Sequence, residues 1–570
     1  MNAAVDSFTL EVIRHAFSAI AEEMSLVVMR SARSPLLREA GDLSSAITDA
    51  DGELVAQGRD IPMHMGVMSF TVKEFLKRIP AERLNAGDVW FLNLPEIGGN
   101  HLPDVKAVRP VFVDGVLRAF AVSLAHWADI GGAVPGSYVP AATDAWQEGL
   151  RLPPVRLFSD AGADREKLDL VLANVRGAAE REGDILAQMA ATRAADQRLQ
   201  ALCARHGGDY IALAMSKLHD HAEQQMRDAL QSLPAGTYHG EDWLDDDAAG
   251  GEPLPIRVRI VLDGDRALFD FSECGDAARG PVNTTPFIAA ASVFYAVKAL
   301  VGADIQANGG CYRPIEVITR PGSVLEPGPE RPVVGGNHET SQRLADAIFR
   351  ALEPVVPELL TAGGPTTSGL LLFAGQGDNG AWTTLYETHG GGEGARCHRD
   401  GAPVIRVHMS NVMNTPAEVI EAEYPVRVES QRLRRGSGGA GAHRGGDGLH
   451  REYRVLTDHM SLTSMFERAV VPPYGLQGGE PGALFQVTVI PAKGDAYRLP
   501  GKANVVLHKS DRVIVESCGG GGYGTPTNEG SPLPLAGEGE GKKVRGFWVA
   551  NEGSPLPLAG EGQGEGEGDR

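Results

Sequence analysis

A histidine and an aspartate lie three residues apart in Gly98-Gly99-Asn100-His101-Leu102-Pro103-Asp104, and a second histidine, His126, follows 22 residues after Asp104. One tight loop can bring His101 and Asp104 together, and an imidazole from a neighbouring strand completes a set of two histidines and one carboxylate. That is the donor composition of a catalytic divalent metal site with positions left open for water or substrate. The same spacing suits two ordinary histidines, one capping a turn and one satisfied beneath a sheet. Asp42, in Arg38-Glu39-Ala40-Gly41-Asp42, is a candidate fourth ligand, against the alternative of a turn or cap aspartate.

His64, among the methionines of Ile61-Pro62-Met63-His64-Met65-Gly66, reads as a packed or pocket-lining residue rather than a ligand. His219 and His221 stand two apart on a predicted helix, point to different faces and read as solvated. His338 precedes a predicted helix, where its loop can meet an anion, and is a pocket candidate. Gly519 to Gly522 lack the Lys-Ser/Thr of a phosphate-binding loop. The Gly375-Gln376-Gly377-Asp378-Asn379-Gly380 run precedes a strand-like AWTTLYET where a dinucleotide fold needs a helix, so it reads as a hairpin loop. Five scattered cysteines fit neither a disulfide framework nor a thiolate cage.

These residues need elements to position them. From Asp6 to Ser31 the apolar residues Leu10, Ile13, Phe17, Ile20, Met24 and Val27 recur at helical spacing. Hairpins are predicted at Asp51-Gly52, Asp114-Gly115 and Asp263-Gly264, and the second strand of the middle one delivers His126 at its far end. Residues 161–235 form a helical section of two or three helices broken near Gly207-Gly208. PFIAAASVFYAVKALVG predicts a buried helix, and NHETSQRLADAIFRALEPVVPELL another, opened by Gly335-Gly336-Asn337. Beyond it the chain is strand-rich and heavy in glycine, and Gly436 to Gly448 let backbones approach closely. The fold class is α+β, a large multi-layer subunit with antiparallel or mixed sheets rather than a βαβ repeat. The divisions are 1–160, an N-terminal α/β region with the candidate metal site; 161–235, helical; 236–526, mixed and glycine-rich; and 527–570, a disordered Pro/Gly/Glu tail in which NEGSPLPLAGEG occurs twice.

Composition bounds the function. Apolar residues are 42% and charged residues 22% of 570, ordinary globular usage. A formal charge of -21 argues against a nucleic-acid partner, whose phosphates need cationic contacts. No stretch approaches the length of an apolar membrane span, and the start carries acids where a signal peptide needs a basic region, which points to the cytoplasm.

The ordered set SPLLREAGDLSSAITDADGELVAQ, DIPMHMG, GDVWFLNLPEIGGNHLPDV, AHWADIGG, EGLRLPPVRLF, NGGCYRPIEVITRPGSVLEP, ESQRLRRGSGGAGAHRGGDG and ESCGGGGYGTP, running from Phe8 to Pro526, resembles the hydantoinase B / 5-oxoprolinase family. That family includes the B-type component of N-methylhydantoinase and the alpha component of acetone carboxylase. The resemblance implies a partner, a hydantoinase A-type protein of the actin/sugar-kinase sort that binds ATP in place of this chain. It implies a divalent metal, zinc, manganese or iron, held by His101, Asp104 and His126 with Asp42 as a further ligand. The substrate it implies is a small cyclic amide: hydantoin, N-methylhydantoin, 5-oxoproline or a lactam-like ring. Resonance protects the C–N bond of such a ring, so the partner phosphorylates the amide-enol oxygen and this chain hydrolyses the activated species at the metal. By their places in the shared motifs His64 and Glu96 are expected to shuttle a proton. A component that carboxylates an activated ketone, as in acetone carboxylase, and a non-catalytic scaffold for the ATP-binding partner are the competing readings. The family continues into an acidic, helical C-terminal segment where this chain has its repeated tail.

Overall fold

The side chain of Asp6 accepts the Thr9 N–H and caps a helix over Ser7–Ser31, whose buried Ile13, Phe17, Ile20, Met24 and Val28 follow the predicted spacing. In the computed structural model, which describes residues 5–377 and 380–526, this helix packs with Ala178–His206 against a seven-stranded antiparallel sheet. Its central strands are Leu43–Asp49, Val116–His126, Asp104–Val113 and Val89–Leu92, in that order. The predicted hairpins at Asp51-Gly52 and Asp114-Gly115 both form. Asp114 and Gly115 take φ of 51° and 77°, the paired positive values of a tight turn that matches strand twist. Asp104–Val113 is buried along nearly its whole length, which is why it shows no clean alternation.

The helical section is three helices, Arg165–Leu172, Ala178–His206 and Gly208–Leu230. Gly207, at φ 91°, breaks the last two. The expectation of solvated histidines is half corrected here. His221 is exposed, but His219 is buried, with Nε2 2.8 Å from the Leu54 carbonyl, because its face of Gly208–Leu230 packs on the strand Leu54–Gln57.

A four-stranded sheet follows, ordered Ile315–Ile318, Arg266–Asp270, Leu254–Asp263, Gly236–Leu244, with the predicted hairpin at Asp263-Gly264. Helix Pro286–Val301 is capped by Thr285. The next helix is shorter than predicted: a π-helical turn over Gly336–Thr340 leads into Ser341–Leu352, and Pro354, which has no N–H to continue the ladder, lies just beyond its end. Two further antiparallel sheets build the remainder. In one of them Leu370–Gln376 pairs with Trp382–Thr388, so the two strands flanking the Gly-rich run form the expected hairpin, and a strand stands where a dinucleotide fold needs a helix; Asp378 and Asn379 lie outside the described residues.

The glycine runs lie side by side as backbone. Gly520 donates to the Gly446 carbonyl at 3.0 Å and Gly521 to that of Gly363 at 2.8 Å. A Cβ on Gly520 would stand 1.9 Å from the Glu393 carbonyl oxygen, so only glycine fits. One apolar cluster joins Val108 and Phe120 of the first sheet to Ile260, Phe294, Ile348 and Leu476. Among the described residues no helix is long and apolar enough to cross a membrane. The repeated tail, 527–570, lies outside the described residues.

Candidate metal centre

Asp104 opens one strand of the Asp114-Gly115 hairpin, His126 closes the other, and the two are register partners. Their side chains meet with His126 Nδ1 3.0 Å from Asp104 Oδ1, and His101 Nε2 reaches the same oxygen at 3.1 Å. Candidate ligand atoms of all three residues lie within 4.8 Å of one another, and all three residues are buried. Neighbouring ligands on an ion with bonds of about 2.0–2.2 Å stand roughly 3 Å or a little more apart, so the donor set fits a divalent ion. Asp42 closes the same end of the sheet. Its carbonyl accepts the His126 N–H at 3.1 Å, and its Oδ2 is 3.9 Å from His126 Nδ1.

Outer contacts orient these groups. His101 Nδ1–H donates to the Val334 carbonyl at 2.9 Å, which turns Nε2 toward Asp104. The Val333 and Val334 N–H groups in turn donate to the Glu148 carboxylate at 3.1 and 2.8 Å. Asp104 Oδ2 accepts from Asn100 Nδ2 at 2.9 Å. Asn337 Nδ2 lies 3.3 Å from both Asp104 Oδ2 and His101 Nε2. Burial opposes charge on Asp104, yet the facing imidazoles hold it well below the usual carboxylate range. Burial likewise works to lower His101, and the Asp104 carboxylate outweighs it and raises it. Lys106, two residues along the strand, is pushed down to about 8 by burial, and its Nζ has no hydrogen-bond partner.

Beside the set is a small cavity of about 10 Å³, lined by Asp42, His101, Asp104, His126, Asn337, His338 and Tyr386 among others, with room for about one water-sized group. His338 Nδ1 is 2.9 Å from Glu339 Oε1, and its Nε2 has no partner. Burial, followed by the nearby His101 and His126, holds this imidazole well below its ordinary value. The hydroxyls of Tyr138 and Tyr386 are 3.2 Å apart, and the Tyr386 ring lies 4.8 Å from that of His126.

The structure thus brings together His101, Asp104, His126, Asp42 and the pocket candidate His338. His64 is packed, with Nδ1 2.8 Å from Ser44 Oγ and Nε2 3.3 Å from Asp104 Oδ2, and it backs the carboxylate rather than lining the cavity. Glu96 is not among the lining residues. Its carboxylate is held by Arg151 at 2.9 Å. Sequence reasoning missed Asn337, Glu339, Glu148, Tyr138 and Tyr386. The loop opening the 341–352 helix was the available signal for the first two, and nothing local marks the others.

The sequence profile of the Hydantoinase B/oxoprolinase family matches residues 6–526. The beta component of caprolactamase from Pseudomonas jessenii is 31% identical over 92% of this chain and 91% of its own length. A 5-oxoprolinase of Dictyostelium discoideum is 32% identical over 91% of this chain, which spans only 40% of that longer protein. The crystal structure of the ATP-dependent caprolactamase from Pseudomonas jessenii superposes with a TM-score of 0.86 at 29% identity, covering 92% of each chain. With a family match across nearly its whole described length and the same fold in a solved relative, this chain belongs to the Hydantoinase B/oxoprolinase family.

Proposed function

We propose that this chain is the B-type component of an ATP-dependent enzyme that opens a small cyclic amide, and that it hydrolyses, at His101, Asp104 and His126, an intermediate phosphorylated by an A-type ATP-binding partner. The convergence of those three buried ligand atoms carries the reading. Its support from relatives is that 5-oxoprolinase and caprolactamase are both named for cyclic amides, and the solved caprolactamase is ATP-dependent. The same comparison supports a partner. This chain matches one subunit of the caprolactamase and two-fifths of a longer protein in the oxoprolinase, and its sequence carries no phosphate-loop motif.

His101, Asp104 and His126, with Asp42 beside them, would hold a divalent ion, zinc or manganese, with iron the third choice, and such an ion would supply Lewis acidity. The residues do the rest. His101 is held in one tautomer by Val334, and Asp104 is fixed by Asn100 and His64. His338, anchored on Glu339, presents an unpartnered Nε2 that can accept a proton. The Tyr386 hydroxyl, paired with that of Tyr138 at 3.2 Å, lines the cavity and can donate to an oxygen of the reacting group. The cavity of about 10 Å³ has room beside these groups for an ion or a water.

The test is elemental analysis of the purified chain beside folded His101→Ala and His126→Ala variants, followed by ring opening and ATP hydrolysis with the partner present. About one equivalent of metal in the parent, lost in both variants together with ring opening, is the expected result. Undiminished ring opening by metal-free chain and variants would sink the proposal, and a requirement for bicarbonate would move the chain to the carboxylase branch.

A further inference from the structure

We infer that Asn337 is an additional ligand of the metal centre, binding through its side-chain oxygen. This rests on the metal-site reading above and extends it to a segment more than 200 residues away in sequence.

Asn337 lies in the π-helical turn Gly336–Thr340 that precedes the helix Ser341–Leu352, and it is 3% exposed. Such turns recur where a helix must aim a side chain at a functional site. The turn is pressed close to the chain beneath it: a Cβ on Gly336 would stand 1.8 Å from the Asn283 carbonyl oxygen. Asn337 Nδ2 sits 3.3 Å from His101 Nε2, 3.3 Å from Asp104 Oδ2 and 3.2 Å from Met63 Sδ.

The chemistry at His101 selects between the two ends of this amide. Because His101 Nδ1–H is committed to the Val334 carbonyl, its Nε2 carries the lone pair that an ion takes. An N–H aimed at that atom suits the bare lone pair and opposes a cation. A half-turn about the terminal side-chain torsion exchanges Nδ2 for Oδ1, two ends of equal size. The oxygen then stands at the same 3.3 Å from His101 Nε2, a spacing that two ligands of one ion adopt. The exchange gives up the Nδ2 contacts to Asp104 Oδ2 and Met63 Sδ, a cost the ion's attraction for two oxygens offsets, while Oδ1 as it stands has no hydrogen-bond partner to lose. Asp104 Oδ2 keeps the Asn100 donor at 2.9 Å. An amide oxygen is a hard donor compatible with manganese and zinc. The ion would thereby tie the first sheet to the turn before Ser341–Leu352.

The experiment uses the full chain stripped of metal, with cobalt(II) and zinc as the probes. For Asn337→Leu we expect zinc binding weakened by at least about tenfold and a visible cobalt(II) spectrum different from the parent's. For Asn337→Asp, which keeps a ligand oxygen and adds a charge, we expect zinc binding at least as tight as the parent's. Metal-free variants should match the parent in far-UV circular dichroism and melting temperature. An unchanged cobalt(II) spectrum in Asn337→Leu overturns the assignment whatever the affinity does. Weaker zinc binding by Asn337→Asp also overturns it, because a second carboxylate beside Asp104 harms a site in which the amide is only a donor. A parent that binds neither ion removes the metal reading itself, whereas a parent that binds both while either variant behaves contrary to expectation removes only the role of Asn337.

Discussion

Asp104 and His126 face each other across one hairpin only because its ladder slips by one residue near the turn. Val113 pairs with Val116 and Phe112 with Leu117, but Val111 pairs with Ala119, leaving Arg118 as the extra residue. Every partner beyond the bulge is displaced by one, and Asp104 meets His126 where an unbroken ladder would set it opposite Ala125. A one-residue slip reverses which face each side chain occupies, so the bulge decides whether the two ligands can share an ion.

Glu148 acts on His101 through the Val334 carbonyl. In Glu148→Gln one of the two backbone N–H groups at Val333 and Val334 meets an amide N–H, and the carbonyl that orients His101 loosens. Metal affinity should fall roughly tenfold, as read by competition with a chromogenic chelator.

The same carboxyl gives a pH signature. Burial lifts Glu148 from 4.5 to about 7. Its folded-state value lies above its unfolded one, so its contribution to stability is fully present below about 4.5 and is lost as pH rises through about 7. Urea unfolding should show the stability of the parent relative to Glu148→Gln falling between pH 5 and pH 8 by on the order of 2–3 kcal/mol. A relative stability that rises with pH would contradict the assignment.

Lys106 is a buried ammonium with no hydrogen-bond partner, held down to about 8 by burial with only Asp104 opposing the shift. A cation whose folded-state value is depressed destabilises the fold at pH values below it. Lys106→Met should therefore raise stability at pH 7 by about 1–3 kcal/mol, measured as a higher melting temperature. A lower one would show that the ammonium is needed to balance the carboxylates of the site.

His338 touches the cavity without belonging to the ligand set. His338→Ala should keep its metal and slow ring opening by roughly 10²–10⁴-fold. Loss of metal from this variant would make it structural.

Gly520→Ala places a methyl group 1.9 Å from the Glu393 carbonyl in a layer of packed backbone, where nothing flexible can give way. We expect a loss of more than about 3 kcal/mol, seen as insoluble protein or a collapsed melting transition. Gly264→Ala, at a turn where a Cβ meets nothing within 4 Å, carries only the strain of its φ of 61° and serves as the milder control.

By itself the sequence determined what lies within reach of a local turn. Asp6 and the 3–4 spacing behind it mark the opening helix, and the Asp-Gly pairs mark the hairpins. His101, Asp104 and His126 are legible as neighbours because a hairpin brings 22 residues of separation to one end of a sheet, while the bulge at Arg118 that sets Asp104 opposite His126 belongs to the fold. Only the tertiary structure decided what meets that set. Val334 and Asn337 reach His101 across 233 and 236 residues, and Glu148 reaches Val334 across 186. Periodicity records that a face is buried and says nothing about which distant segment covers it. His219 shows this at the edge strand, where its helix face met the Leu54 carbonyl instead of water. Glu96 shows the converse: its motif places it near the ligands in sequence, and an arginine 55 residues away holds it in an ion pair apart from the cavity lining.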